Sequence, residues 1–134
     1  DSYAFYDCSD LKSIIVPNSV INIEYNAFTN CSSLTNIIIP DSVVQIGKEA
    51  FKGCTSLTNI IIPNSVISIE NLAFSGCRSL TSIMIPDSVT SIGEDAFYKT
   101  GGNPYYTLQF DRKSASRPPN RVVRHVGDSR SEDL

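Results

Sequence analysis

A 23-residue period runs through most of this chain and restricts its fold more than any other feature of the sequence. The segments CSDLKSIIVPNSVINIE, CSSLTNIIIPDSVVQIG, CTSLTNIIIPNSVISIE and CRSLTSIMIPDSVTSIG begin at Cys8, Cys31, Cys54 and Cys77. Self-similarity at a fixed period of this size is typical of proteins in which each repeat forms one coil and the coils stack. A single coil cannot bury its own apolar edge, so its neighbours must cover it.

The repeats fill most of the 134 residues, a length that fits one domain. We predict four full repeats at residues 4–26, 27–49, 50–72 and 73–95, and a partial fifth at 96–110. The remainder, 111–134, holds two adjacent prolines, many charges and few large apolar residues. Such a composition does not repay the entropy lost on ordering. We therefore predict a solenoid over 1–110 and a linker or disordered tail over 111–134. The alternative is a short strand at RVVRHV that pairs with another element.

The second repeat shows how one coil is built. Its segment LTNIII ends in β-branched residues, which favour an extended chain. Pro40 ends this strand because it has no N–H for a sheet ladder, and Pro40-Asp41-Ser42 has the composition of a turn. The segment VVQI predicts a second short extended piece, with Val43 and Ile46 inward. Across the chain, first strands are predicted near residues 11–16, 34–39, 57–62, 80–85 and 105–110.

Stacked coils place equivalent residues about 4.8 Å apart, as in neighbouring strands of a parallel sheet. The predicted inward ladders are Leu11, Leu34, Leu57 and Leu80; Ile14, Ile37, Ile60 and Ile83; and Phe5, Phe28, Phe51, Phe74 and Phe97. The residues after the prolines alternate between amide and acid, as Asn18, Asp41, Asn64 and Asp87. This alternation keeps like charges from lying directly opposite one another, which is destabilising, although with four positions chance is the alternative explanation.

The four cysteines, one in each full repeat, allow three interpretations: a metal site, disulfides or buried free thiols. Metal ligands come in close pairs, unlike residues 23 apart. Cysteines of adjacent coils could approach disulfide distance. However, they belong to the apolar repeat pattern, where a free thiol behaves as a small hydrophobic side chain, and the fifth repeat has Thr100 in this position. We predict buried, reduced thiols and no metal site.

Motifs that carry chemistry are sparse. The only histidine, His125, lies in the tail, and no motif places a nucleophile or an acid near it. The serines of the NS and DS pairs recur as turn residues, and no glycine-rich phosphate loop follows a strand. Asn30-Cys31-Ser32 matches the acceptor pattern for N-glycosylation, which has meaning only in a eukaryotic secretory setting. We predict a non-enzymatic protein with no catalytic residues and no cofactor.

The charge distribution bears on partners. Residues 1–100 carry five Lys and Arg against ten Asp and Glu, a net charge of −5, whereas residues 101–134 carry six against four, a net charge of +2. Scattered acidic charge gives no footprint for nucleic acid or an anionic membrane. No apolar run reaches the roughly eighteen residues of a membrane span, and DSYAFYDC lacks the pattern of a signal peptide. Without an initiator Met, we expect a chain taken from a longer protein or formed by cleavage.

Residues between the inward positions of each first strand must face outward. One outward position is large and apolar in every full repeat, as Ile15, Ile38, Ile61 and Met84. Another is small and polar, as Ser13, Asn36, Asn59 and Ser82, and is preceded in three repeats by Thr35, Thr58 and Thr81. Contiguous apolar surface with a polar margin is typical of contact sites. We predict that these residues bind a protein partner. The alternatives are that the outward apolar residues only stabilise the strands, or that a loop or a second copy of the chain covers them.

The repeated pattern C-x-x-L-x-x-I-x-[IV]-P-x-S-V-x-x-I-x-x-x-A-F resembles the leucine-rich repeats of the Treponema pallidum type, also called BspA-like, from residue 4 to about 97. The resemblance implies a leucine-rich-repeat right-handed solenoid, α/β by the convention for such repeats but mostly parallel β with short 3₁₀ or turn segments. It places the parallel sheet on the concave side. It also implies bacterial or protist proteins at the cell surface or outside the cell that bind host proteins or other cells. No catalytic residue comes with it.

Two functions are consistent with these features. The first is a non-enzymatic module of a surface or secreted protein that recognises a protein partner, in adhesion or host interaction, through the concave sheet. The second is a structural spacer or scaffold with no ligand of its own. Neither end has a polar capping repeat, so we also expect either more repeats upstream or end-to-end self-association. No nucleic-acid partner and no membrane insertion are predicted.

Overall fold

The computed structural model describes residues 1–101, 107–109 and 120–126, and side-chain burial for residues 1–81 and 83–101. In this part of the chain, ten short strands are joined by turns, and none of its residues is helical. The first strand of each full repeat is β1 (Ser13–Ile15), β3 (Asn36–Ile38), β5 (Asn59–Ile60) or β7 (Ser82–Pro86). The second is β2 (Asn22–Ile23), β4 (Gln45–Ile46), β6 (Ser68–Ile69) or β8 (Ser91–Ile92). The chain then continues with β9 (Thr107–Gln109) and β10 (Asn120–Val126).

Two parallel sheets follow from stacking the coils. The first sheet has the order β1-β3-β5, with Ile14 opposite Ile37 and Ile37 opposite Ile60, and β7 of the fourth coil lies against β5. The second sheet has the order β2-β4-β6-β8. All pairs within these two sheets are parallel and in register by 23 residues. The predicted solenoid and its second short extended piece are therefore confirmed, with turns between the strands.

The turn after each first strand is closed by the residues that the sequence predicts. In the second coil the Val43 N–H donates to the Pro40 carbonyl over 3.1 Å, and the same bond recurs after each of the other strand-ending prolines. The Ser42 hydroxyl donates to the Val20 carbonyl of the preceding coil at 2.6 Å, and Ser65 donates to Val43 at the same distance. These serines tie one coil to the next and are thus architectural.

The core lies between the two sheets and the third, turn-rich side of each coil. On that third side, the phenylalanine N–H of the first four coils donates to the alanine carbonyl one coil further on, at 2.7–2.8 Å. The five rings form a continuous stack with centroids 5.2–5.5 Å apart and planes within 6° of parallel: Phe5, Phe28, Phe51, Phe74 and Phe97. Stacked rings favour close, offset packing. The inward leucine and isoleucine ladders are buried in coils two to four, as predicted.

The first coil differs from those after it because nothing in the described residues stacks on its outer edge. Five of its inward residues are only half-buried: Phe5, Cys8, Leu11, Ile14 and Val20. A cavity of about 290 Å³ opens at this end, with almost entirely apolar walls. The first coil therefore leaves apolar surface uncovered that the interior coils bury.

Two positions per coil hold the backbone in the left-handed region, with φ between 55° and 78° in all four full repeats and at the start of the fifth. One set is Tyr3, Asn26, Glu49, Leu72 and Asp95, and the other is Asp7, Asn30, Gly53, Gly76 and Lys99. Glycine, asparagine and aspartate tolerate this conformation best. Where another residue occupies the first of these positions, its N–H donates to a carbonyl of the next coil, as Tyr3 does to Tyr25, Glu49 to Asn71 and Leu72 to Glu94, and this bond holds the conformation.

The arrangement after the fourth coil departs from the repeat. β9 lies within the strand predicted at 105–110, so a strand is observed there, but it pairs antiparallel with β10, and the expectation that it continues the parallel stack is wrong. Instead, β10 lies between β7 and β9 and pairs antiparallel with both. β10 falls within 111–134, the segment expected to be a linker or disordered, and matches the alternative of a short strand at RVVRHV. The other residues of 111–134 lie outside the described part of the chain.

Candidate functional site

The outward apolar residues of the first sheet form one continuous row, which we call the outward stripe: Ile15, Ile38, Ile61 and Met84. Their side chains are 73%, 53%, 73% and 49% exposed, respectively. The neighbour of Ile38 on the same strand, Ile37, is only 3% exposed, because side chains of a strand alternate between its two faces. The outward geometry predicted from the sequence is thus observed, whereas the role of these residues in binding stays a prediction.

Small polar side chains border the outward stripe on the side where the strands begin. Ser13, Asn36 and Asn59 are exposed and lie in register, and Ser82 occupies the equivalent backbone position at the start of β7. The three threonines that precede them are also exposed: Thr35, Thr58 and Thr81. The Thr35 hydroxyl donates to the Lys12 carbonyl of the preceding coil at 3.2 Å. That threonine therefore joins two coils as well as bordering the stripe.

A cavity of about 480 Å³, which we call the stripe cavity, opens where β5 lies against β7. Its described lining is Ile39, Asp41, Asn59, Ile60, Ile61, Ile62, Pro63, Asn64, Ile83 and Met84. Two members of the outward stripe thus share a cavity with one carboxylate and two amides. Sequence reasoning did not identify this cavity, since its walls come from three coils and from both ends of a strand. The sequence did indicate some of its residues, namely the outward Asn59, Ile61 and Met84 and the alternating Asp41 and Asn64.

The cysteines form an interior ladder on the third side of the coils. All four are free thiols, and the Sγ–H of Cys31, Cys54 and Cys77 each donates to a phenylalanine carbonyl of the preceding coil at 3.1 Å. Burial raises the pKa of Cys31 to about 11 and that of Cys54 to about 12, and it holds the pKa of Cys77 well above 9.0. These three thiols are therefore neutral and poor nucleophiles at neutral pH.

The prediction of buried thiols is confirmed for three cysteines and is wrong for the first, because Cys8 in the uncovered coil is half-buried. At the equivalent position of the fifth repeat, the buried Thr100 hydroxyl donates to the Phe97 carbonyl at 2.9 Å. Among the described residues, His, Cys, Asp and Glu side chains do not form a group of three that could hold a metal ion. Nothing in this part of the chain forms a helix with the length and apolarity that a membrane crossing requires.

Two further exposed features were missed by sequence reasoning. On the second-sheet side, Ile21 and Ile67 are 58% and 52% exposed. At the first coil, the exposed Tyr3 ring makes edge contacts with Tyr6 and Tyr25 at 5.2 and 5.4 Å. The hydrogen bond with Tyr25 raises the pKa of Tyr3. The sequence signal for these tyrosines was their grouping within residues 3–25, since residues 26–97 contain no tyrosine.

These features agree with the comparisons to known proteins. A family model described as "BspA type Leucine rich repeat region (6 copies)" matches residues 1–109. The chain belongs to the BspA-type leucine-rich repeat family. The resemblance inferred from the repeat pattern is thereby confirmed. No curated protein matches the chain.

Solved structures of leucine-rich repeat proteins share the fold. A leucine-rich repeat protein from Bacteroides ovatus is 41% identical over 74% of this chain, with a TM-score of 0.68. The leucine-rich repeat protein of T. pallidum is 39% identical over 71%, with a TM-score of 0.70. A leucine-rich cell surface protein from Faecalibacterium prausnitzii is 30% identical over 86%, with a TM-score of 0.58. The chain spans 25%, 44% and 40% of these three proteins, which is less than half of each.

Proposed function

We propose that this BspA-type leucine-rich repeat chain is a non-enzymatic protein-binding module whose contact surface is the outward stripe with its polar margin. The exposure of the stripe carries the proposal. Four large apolar side chains are about half exposed or more, and they occupy equivalent positions in consecutive coils, with Ile15 opposite Ile38 and with Ile61 and Met84 lining one cavity. Single exposed apolar residues need no explanation, but a contiguous row of them is typical of a surface that a partner covers.

The size of the stripe suggests its place within a larger interface. Four rungs at about 4.8 Å give a row roughly 15 Å long. A stable protein–protein interface covers about 800 Å² on each partner, which exceeds the area of such a row. The stripe therefore suits the apolar centre of an interface, where covering exposed surface yields about 25 cal/mol per Å². The serines, threonines and asparagines beside it suit the polar rim, where hydrogen bonds fix the position of the partner.

Family membership supports the general class of function, since leucine-rich repeat proteins bind other proteins. We extend this to a location at the cell surface or outside the cell and to a role in adhesion or host interaction. The similarity to a leucine-rich cell surface protein of F. prausnitzii supports that location. The proposal concerns this repeat segment, because the chain spans less than half of each similar solved protein.

A pair of matched double variants tests the stripe. Ile38→Thr with Ile61→Thr replaces two exposed apolar groups and keeps the β-branched shape that suits a strand. Ile21→Thr with Ile67→Thr makes the same change at two residues of similar exposure on the second-sheet side. Both variants and the parent chain are immobilised, and a panel of purified host extracellular proteins is passed over each by surface plasmon resonance.

We expect the stripe variant to lose at least tenfold in affinity for any panel protein that binds the parent, because two buried interface contacts are removed. The control variant should bind like the parent. Equal binding by the parent and the stripe variant, with both chains folded, contradicts the proposal. Loss of binding in the control variant instead moves the contact surface to the second sheet.

A structural spacer is the second candidate function. The observation that favours it is the near identity of the outward stripe, with isoleucine in three coils and methionine in the fourth. A recognition surface for an irregular partner need not repeat, whereas strand-stabilising filler repeats by default. A parent chain that binds none of the panel proteins favours the spacer.

End-to-end association remains a separate proposal. The half-buried inward residues and the apolar cavity of the first coil support it, since a further coil stacked there would cover both. That coil could come from more repeats of the same chain or from a second copy. Sedimentation velocity of the purified chain at increasing concentration distinguishes the monomer from a self-associating species.

A further inference from the structure

The stripe cavity combines features that an apolar contact surface alone does not need. Ile61 and Met84 form one part of its wall, together with Pro63, which follows β5 in the third coil. Asp41 and Asn64 occupy equivalent turn positions in consecutive coils and line the same cavity. Its volume of about 480 Å³ falls within the range of ligand sites, and its exposed lining is nearly half polar, with a slightly larger apolar part.

The charge of the stripe cavity has one sign. Among its described lining residues, Asp41 is the only one that carries a charge at neutral pH. The amides of Asn59 and Asn64 can donate or accept hydrogen bonds and so accommodate either a cation or a neutral group. Residues 1–100 have a net charge of −5, and Arg121 and Arg124 of β10, which pairs with β7, add +2, so the net negative charge that is left still favours cations over anions. An acidic side chain is therefore disfavoured in this cavity.

The apolar lining selects among cations. A small hydrated ion gains nothing from isoleucine, proline and methionine walls. Lysine and arginine have an aliphatic stem that packs on apolar surface while the charged head reaches polar groups. With the stem against Ile61 and Met84, the head lies at the side of the cavity that holds Asp41 and Asn64. Arginine can additionally bond both carboxylate oxygens at once.

We propose that the stripe cavity is a specificity pocket that receives one basic side chain, lysine or arginine, of the partner protein. This inference rests on the proposed function, since it assigns a chemical character to the partner of the outward stripe. Apolar residues of the partner cover Ile15 and Ile38, while its basic residue enters beside Ile61 and Met84.

Amino-acid derivatives serve as probes in place of the unidentified partner. N-acetyl-arginine amide and N-acetyl-lysine amide are titrated into the 15N-labelled chain, and amide chemical shifts are followed by NMR. N-acetyl-norleucine amide has the apolar stem without the charge, and N-acetyl-glutamate amide has the opposite charge. We expect the basic probes to shift the amides of Asn59, Ile61 and Asn64, with affinity that weakens between 50 and 200 mM salt by the screening of about one charge pair.

Three variants separate the charge from the shape of the stripe cavity. Asp41→Asn should weaken binding of the arginine probe by about two- to fivefold, because it removes an exposed carboxylate and keeps the volume. Asn64→Asp adds a second carboxylate to the same cavity and should strengthen binding by a similar factor. Asp87 occupies the equivalent turn position one coil beyond Asn64 and lies outside the described cavity lining, so Asp87→Asn should leave binding of the arginine probe unchanged. Thermal unfolding of each variant verifies that it is folded.

Several outcomes overturn the inference. These are equal shifts with the norleucine probe, unchanged arginine binding in Asp41→Asn, or shifts caused by the glutamate probe. A panel protein whose binding is lost in the Ile38→Thr, Ile61→Thr variant but is unchanged in Asp41→Asn overturns the pocket and leaves the proposed function standing. A further outcome is that arginine binding depends on Asp41 while the stripe variant still binds panel proteins like the parent chain. That result overturns the proposed function, and the cavity is then a site for basic side chains that is not part of a partner interface.

Discussion

Ile37 and Ile38 are adjacent residues of the same type on the same strand, yet one is 3% and the other 53% exposed. The same contrast separates Ile60 from Ile61 one coil further on. Repetition of the inward residues follows from packing, because each one contacts its equivalents in the coils on either side. Outward residues also face their equivalents across neighbouring strands, as Ile15 faces Ile38, but they stay about half exposed or more, so packing within this chain does not bury them. The difference teaches that internal repetition alone does not distinguish a core position from a contact position.

The turns form a third class, in which the conformation repeats while the residue changes. The left-handed position occupied by Asn26 is glutamate in the next coil and leucine in the one after, with φ between 56° and 60° in all three. A glycine likewise alternates with glutamate at the position of Glu24, Gly47 and Glu70. At these turn positions, hydrogen bonds between coils determine the backbone conformation, whether or not the residue there favours it.

The largest difference in stability should appear when the same Ile→Thr substitution is made at inward positions in one variant and at outward positions in another. Ile37→Thr with Ile60→Thr buries two hydroxyls without provided partners and should cost about 2–4 kcal/mol at each site. Domains are stable by only about 5–15 kcal/mol, so this variant should be largely unfolded. Ile38→Thr with Ile61→Thr should cost less than about 1 kcal/mol in total. Urea unfolding followed by circular dichroism measures both variants, and the reverse order of stability would mean that the two faces have been exchanged.

Alkaline pH tests the interior without mutation. Both folded and unfolded chains hold their thiol protons below pH 9, so the thiols leave stability unchanged there. Above pH 9 the unfolded chain releases thiol protons that the folded chain retains, because burial raises the pKa of Cys31 to about 11 and of Cys54 to about 12. The free energy of unfolding should therefore fall by up to about 1.4 kcal/mol per pH unit for each such thiol until the folded thiols also ionise.

A cysteine variant isolates this contribution from tyrosine and lysine titration. Cys54→Ala should have a shallower decrease of stability between pH 9 and 11 than the parent chain, by about one thiol's share. An identical slope in both chains would mean that Cys54 is not protected in the folded state. Thiol labelling at neutral pH gives a second readout: the half-buried Cys8 should react before denaturant is added, and Cys31, Cys54 and Cys77 only afterwards.

The sequence predicted the features that follow from the period. Once Leu34, Ile37 and Ile39 are placed inward, the period transfers their placement to every other coil, and the structure confirms it in coils two to four. The outward orientation of Ile38 follows by the alternation of a strand. Turn closure at Pro40 is also predictable, because the loss of an N–H and the fixed φ of proline are local properties.

Other features depend on contacts that the period does not determine. The antiparallel placement of β10 between β7 and β9 involves residues outside the repeat register. The stripe cavity needs side chains from several coils. The left-handed conformation at Leu72 contradicts the preference of leucine and is visible only through its alignment with Asn26. Gly53, Gly76 and Asn30, aligned in consecutive repeats, did carry a sequence signal for the second left-handed position.

A third prediction concerns a turn position that behaves like the core. A Cβ atom on Gly47 would lie 2.7 Å from the Ile23 carbonyl oxygen and 2.8 Å from the Glu24 carbonyl carbon, both backbone atoms of the preceding coil. Gly47→Ala must therefore displace the backbone and should cost about 2–3 kcal/mol. Glu70→Ala, at the equivalent position one coil on, loses only the 2.9 Å hydrogen bond from Gln45 and should cost about 1 kcal/mol or less. Equal losses in urea unfolding would contradict a steric role for Gly47.

The smallest effect should be a gain in stability at Leu72, where the backbone has φ 60°. A left-handed conformation costs about 1–2 kcal/mol for most residues, and asparagine lowers this cost because its short polar side chain bonds locally. Asn26 occupies the equivalent position with φ 56°. Leu72 is half-buried, so Leu72→Asn also loses apolar contact, and the net gain should be about 0.5–1 kcal/mol. Leu72→Ala loses the contact but keeps the strain, and it should be less stable than the parent. If the asparagine variant is more thermally stable than the parent and the alanine variant less stable, the ranking supports strain at this turn. If both variants are equally less stable than the parent, packing of Leu72 outweighs the strain, and this turn position belongs with the inward ladder.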